Sequence, residues 1–444
     1  VTDPHSTLAD GAFPEPPPGC PAHAAHDGRR PLFGPQYEND PMSWYSELRA
    51  RHGAVAPVLL PGELPAWLVL GYRENVEVAR NHYLFSRDSR NWREIQDGRI
   101  TPDHPMAPIT AWQPLCNLVD GKEHKRLRGS LADSLSRFHH RGLRRYITQS
   151  AHALIDEFCE HGRAELVGLF SEHLPMLVLA KMMDLPEDQA PRLGVAVWDL
   201  LKGSPTAPAS NDFVTELLSE VIARKSREPG HDLASVMFRH EAGLDADSVR
   251  EHLRLVLVSA ASTSCLLSDA VRVLLSDERF RANLRGGHMR LPDAIEQVLW
   301  DYPPFVTVVG RWATTDTMLA DQQIRKGDML ILGLAAANTD PAVRPDLRAL
   351  VIGNRSHLSF GAGDHICPGS HIARAIASVG IGTLLTRLPD LELAASDGEL
   401  EWQTSLLLRT LTRLPVQFTP RPRVGRAWEA DTRQVPAAAE PAAL

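Results

Sequence analysis

The chain has 444 residues, 43% of them hydrophobic, which is enough to bury a large core in anything from one domain to about three. Its 47 Lys plus Arg against 55 Asp plus Glu give a formal net charge of -8, which argues against nucleic acid or an anionic membrane as the main partner and favours small-molecule chemistry. Five scattered cysteines, Cys20, Cys116, Cys159, Cys265 and Cys367, show no CxxC spacing, so neither a disulfide framework nor a zinc site is indicated and a reducing cytoplasm fits.

In chain order, residues 1–29 are polar and Pro-rich, with no apolar run for a signal peptide or membrane anchor, and are expected to be disordered. From Asp40 to Arg51 an amphipathic helix is predicted, ended by Gly53, and "VAPVLLPGELPAWLVLGY" follows as two short strands around a Pro-Gly turn. Helices then dominate, with candidates at 73–81, 123–137, 143–161, 163–184, 190–202, 211–226 and 246–275, while "SPTAPASN" (204–211) reads as a loop. "IEQVLWDYPP" (295–304) reads as a helix with a proline stop. Strand signals return after Pro304, and a long helix follows "DHICPGSHIAR". The expected fold is mostly α with small β-sheets (α+β), one large domain over 30–420, with a disordered tail over 421–444.

The most informative segment is "HLSFGAGDHICPGSHIAR", in which a Gly-rich loop delivers Cys367 immediately before an apolar helix. Backbone N–H groups and a helix N-terminus favour a thiolate, the form that binds metal, and Gly361, Gly363 and Gly369 would let the backbone approach a flat cofactor. A lone Cys is more often simply core, but here Phe360, Gly363, His365, Cys367, Gly369 and Ala373 stand in a register that resembles the haem-binding signature of the cytochrome P450 family. The resemblance extends over about residues 30 to 420, with other segments in the same chain order. It implies the cytochrome P450 fold, Cys367 as the proximal ligand of haem iron, and haem b held non-covalently, since no CxxCH site is present.

On the same resemblance, "DGKEHKRLRGSL" matches the family's C-helix, where His124 and Arg128 would meet the haem propionates together with Arg311 and His365. Phe360, Gly361 and Gly369 belong to the cofactor-binding loop, and "LAAANTDP" matches the stretch before the meander. The helix over 246–275 stands in the place of the distal I-helix, where the family usually pairs an acid with an alcohol to relay protons. Ser262 and Thr263 fall at those positions, or Ala261 and Ser262 in a second register; neither supplies an acid. A plain core helix would also tolerate these hydroxyls. In the K-helix, Gln297 and Trp300 replace the usual Glu-x-x-Arg, as in a minority of bacterial members, and Glu296 lies on another face. The two are expected to bond to each other as a neutral replacement for the buried ion pair, and Arg355 matches the family's meander partner if a short deletion is allowed.

The implied function is a cytoplasmic haem-thiolate monooxygenase acting on a small-to-medium hydrophobic metabolite. Electrons would come from a ferredoxin and ferredoxin reductase, because no GxGxxG opens a strand–helix unit. The substrate pocket would be lined by 90–118, 190–226, the distal helix, Pro304–Val309 and the turn at Thr410–Leu411. Two other readings are oxidative carbon–carbon or phenol coupling, which tolerates a weak proton relay, and a haem-binding sensor or partner protein with little turnover.

Overall fold

The computed structural model describes residues 29–138, 141–202 and 204–425, so the two terminal segments expected to be disordered lie almost wholly outside the described residues. At one end lies a six-stranded sheet in the order Arg30–Pro31, Val55–Leu60, Leu64–Val69, Met329–Leu332, Val308–Ala313 and Phe85–Ser86. Leu60 pairs with Leu64 across the predicted Pro-Gly turn, where Gly62 takes a φ of 81° that other residues rarely adopt. In the strand Val308–Ala313 a bulge at Gly310, whose φ is 94°, breaks the alternation and leaves Arg311 and Trp312 both buried.

The helical body is organised around Ala246–Ser276, whose N-cap Asp245 accepts from Ser248 N at 2.8 Å. This helix packs against His173–Met182, Ala207–Arg227, Leu291–Asp301 and Ser370–Arg387. Though long and apolar enough to cross a membrane, it is a core helix, with 83% of its most apolar window buried.

Two predicted boundaries are corrected. Residues 163–184 are not one helix but a strand, Arg163–Glu165, a π-helical segment, Val167–Ser171, and the helix His173–Met182. Glu165 explains the break: its carboxylate accepts from Val167 N at 2.9 Å, Gly168 N at 2.8 Å and Leu414 N at 2.8 Å, tying this segment to the C-terminal strand Pro415–Gln417. The supposed loop 204–211 is mostly helix, because Ala207–Arg227 carries Pro208 in its first turn, where a missing N–H costs nothing. Asp199 gathers the hydroxyls of Ser204, Thr206 and Ser210 at 2.9, 2.9 and 2.7 Å and so starts it.

The helix Leu291–Asp301 stops before Pro303 and Pro304 as predicted, but Gln297 and Trp300 do not bond to each other. Gln297 Oε1 accepts from Val351 N at 2.6 Å and its Nε2 donates to Asp301 Oδ2 at 2.9 Å. Trp300 Nε1 donates to Asn354 O at 2.9 Å, with Tyr72 stacked on its ring. The ion pair is moved rather than neutralised: Arg344 Nη1 meets Asp301 Oδ1 at 2.7 Å and the guanidinium lies 5.6 Å from the Trp300 ring centroid. Asp301 is one turn beyond Gln297 on the same face, so the acid keeps its direction and changes its level. Glu296 does lie on another face, but there, itself buried, it holds a second ion pair with the half-buried Arg374.

Candidate functional site

Two short 3-10 turns, Leu358–Phe360 and Gly363–His365, fold the loop before the helix Ser370–Arg387. Cys367 N donates to Phe360 O at 2.8 Å, which closes the loop on itself. Gly363 has a φ of 68°, and a Cβ there would strike the Ala79 carbonyl, so only glycine allows this close approach. Gly369 begins the helix, and the N–H groups of Gly369 and Ser370 turn to the thiol. Burial nevertheless pushes the Cys367 thiol up, outweighing those N–H groups and the charges of Arg128 and Arg374. The expected lowering is thus reversed for the free thiol, and a bound metal ion would have to displace the proton.

Beside this loop, cationic groups outnumber their anionic partners. Arg311 is 2% exposed; among the described residues its Nη1 reaches only Phe85 O at 3.3 Å and its Nε has no hydrogen-bond partner. Burial and the neighbouring Arg87 push it down to about 9. Arg87, also buried, donates to Asn117 O at 2.8 Å, to Val309 O at 2.8 Å and to Gly310 O. Among the described residues no carboxylate pairs with either guanidinium, because Asp120 is engaged by Ser86 Oγ, Arg87 N and His365 Nε2 at 2.7, 2.7 and 3.2 Å. Burial works against the charge of Asp120, but these hydrogen bonds hold it down at about 2.

The other predicted cofactor residues converge here. His124 and Arg128, one turn apart, both reach Asp364 O, at 3.1 Å each, and His124 also bonds Cys116 O at 2.7 Å. The His124 and His365 rings lie 3.9 Å apart, and burial, with Arg311, His124 and Arg87 nearby, pushes His365 down to about 3 despite Asp120. Phe360 carries the guanidinium of Arg374 over its ring at 4.4 Å. A buried guanidinium with an orphaned Nε, beside a second one, is costly unless an anion joins it. The bay therefore fits a cofactor with two carboxylates, and Arg311, Arg128, His124 and His365 would hold them.

On the central helix, Leu255, Val258, Ser259 and Ser262 form an open stripe among buried neighbours. Ser262 Oγ donates to Ser259 O at 2.9 Å, and Thr263 Oγ1 to the same carbonyl at 3.4 Å. Among the described residues no carboxylate joins them; the next one toward the helix C-terminus is Asp269, which burial pushes up to about 6. Of the predicted pocket lining, Trp198, Thr410 and Leu411 meet Ser264, Cys265 and Ser268 around a cavity of about 110 Å³. Sequence reading passed over Arg87, Asp120, Glu296 and Arg374 as parts of the site. Only Arg374, one turn beyond Ser370 in the helix after the cysteine, had a positional signal.

A thiol at a helix N-terminus beside such a bay is the donor set of a haem-thiolate oxidoreductase. The family model "Cytochrome P450" matches residues 291–410. Cytochrome P450 107B1 of Saccharopolyspora erythraea is 30% identical over 83% of this chain and 93% of its own. Nocardicin C N-oxygenase of Nocardia uniformis is 30% identical over 88% and 99%. The solved structure of myxobacterial CYP267B1 in complex with myristic acid superposes with a TM-score of 0.78, at 27% identity over 88% of this chain and 99% of that one. The chain belongs to the cytochrome P450 family. It is a cytochrome P450 monooxygenase, an oxidoreductase whose cofactor is haem b, and the bound haem supplies the activation of dioxygen.

Proposed function

We propose that this enzyme oxidises a small-to-medium hydrophobic metabolite in the cytoplasm, drawing electrons from a ferredoxin and its reductase. Cys367 binds the iron, and Arg311, Arg128, His124 and His365 hold the propionates. Phe360, Gly361 and Gly369 shape the loop beneath. Ser262 and Thr263 hold and pass protons through their hydroxyls. The observation that carries the reading is the pairing of a half-buried thiol on a glycine loop with a bay of two buried guanidiniums that, among the described residues, no carboxylate pairs with. The fatty-acid complex of CYP267B1 supports a hydrophobic substrate.

A second reading, oxidative coupling, draws on one feature: the hydroxyls of Ser262 and Thr263 are both bonded to Ser259 O with no acid beside them. Coupling draws the same two protons and two electrons per dioxygen as hydroxylation, but takes two further hydrogens from the substrates and releases both oxygens as water, so its product needs no oxygen placed by the distal groups. Reconstitution with a ferredoxin system separates the readings by product mass: one added oxygen, a lost pair of hydrogens, or no product, the last expected of a sensor. In the same assay hydrogen peroxide should take a large share of the electrons. Tight coupling would show that water or substrate replaces the missing acid.

A further inference from the structure

A cavity of about 300 Å³ opens between the helices Arg141–Asp156, Leu291–Asp301 and Ser370–Arg387. Three guanidiniums line it, those of Arg144, Arg355 and Arg374, against a single carboxylate, Glu296. That carboxylate is already committed: Arg374 meets it through Nε at 2.6 Å and Nη2 at 3.0 Å, and His357 through Nε2 at 2.9 Å. Arg355 Nε stays 3.8 Å from it and is largely exposed, and among the described residues Arg144 has no carboxylate partner. A chain of net charge -8 thus keeps a strongly cationic hollow, apart from the bay of Arg87 and Arg311.

We propose that this hollow binds an anionic group, a carboxylate or phosphate, and that its occupancy is felt at the Cys367 loop through Arg374. The link is short. The Arg374 guanidinium lies over the Phe360 ring at 4.4 Å, and Phe360 O accepts the hydrogen bond of Cys367 N. An anion seated between Arg144 and Arg355 draws on Arg374 as well, and so competes with Glu296 for it. The binding site rests on the cavity and its charges alone, whereas the link to the iron rests on Cys367 as ligand.

The test uses the haem-loaded protein and inorganic phosphate, with chloride at equal ionic strength as the control. Calorimetry should show one phosphate bound per chain, and Arg144→Gln with Arg355→Gln should weaken it about tenfold. Both side chains are exposed, so the double variant should keep its fold and its thiolate-type spectrum. Phosphate should also shift the ferric haem absorption of the native protein and not of the variant. Phosphate that slows reduction by an acidic ferredoxin only in the native protein identifies a partner's carboxylate as the occupant; binding without that competition identifies a free anion. Binding no tighter than that of chloride, or unchanged in the variant, overturns the site. Binding that leaves the native spectrum unmoved overturns the link through Arg374. A protein with no thiolate spectrum at the outset fails the cofactor assignment instead and leaves the calorimetric result to decide the site.

Discussion

Arg311 shows how a side chain that is unfavourable in the fold can be suited to its ligand. Its guanidinium is buried beside Arg87, with one long hydrogen bond and no carboxylate. Replacing such a charge by an apolar side chain of similar length removes a desolvation penalty of about 1–4 kcal/mol, whereas a bound dianion makes the same charge favourable. Arg311→Met should therefore raise the melting temperature of the haem-free protein and weaken haem retention on gel filtration. If the variant destabilises the apoprotein, Arg311 has a structural partner and the bay is not waiting for an anion. Its position in a strand after the proline stop was legible in the sequence. Its burial was not, because the bulge at Gly310 that overrides the alternation depends on the neighbouring strand.

At the scale of the element, the helix Leu291–Asp301 illustrates a displaced interaction. Its length and stop follow from periodicity and the two prolines, but its partners come from a meander about fifty residues away, so no local rule predicts them. Arg344 is buried against Asp301 and the face of Trp300. Breaking such a pair from one side strands a charge and costs about 3–5 kcal/mol, while removing both sides is often neutral. Asp301→Asn should accordingly lower unfolding stability by an amount in that range, measured by urea titration. Adding Arg344→Met should recover most of the loss. Equal destabilisation by the single and double variants would mean that Gln297 and Trp300, rather than the ion pair, anchor the meander.

For the molecule as a whole, Glu296 joins three distant stretches: its own helix, His357 before the cysteine loop, and Arg374 after it. Burial alone would raise this carboxyl, but the hydrogen bonds from His357 and Arg374 dominate and hold it down at about 2. A folded-state pKa below the unfolded value gives stability that is complete above about pH 5 and is lost as the pH falls toward 2. The shift corresponds to about 3 kcal/mol. Stability measured from pH 7 down to pH 3 should therefore fall less steeply in Glu296→Gln than in the native protein, from a lower starting value. Parallel curves would show that Glu296 is not a main source of the acid sensitivity.

The sequence alone determined the features set by local chemistry. The glycines of the cysteine loop permit its left-handed turns, the apolar run from Leu255 to Leu275 makes a core helix, and the Pro-Gly turn folds two strands back on each other. His124 and Arg128 share a face because a helix turns once in about 3.6 residues. Only the tertiary structure decided which charges meet. Glu165 breaks a predicted helix by bonding Leu414, Asp301 replaces Gln297 as the acid because Arg344 arrives at its level, and Arg87 joins Arg311 across two strands. These outcomes depend on groups far apart in the chain, whose attraction or repulsion has no counterpart in periodicity or propensity and acts only once the packing of the core has removed the water between them.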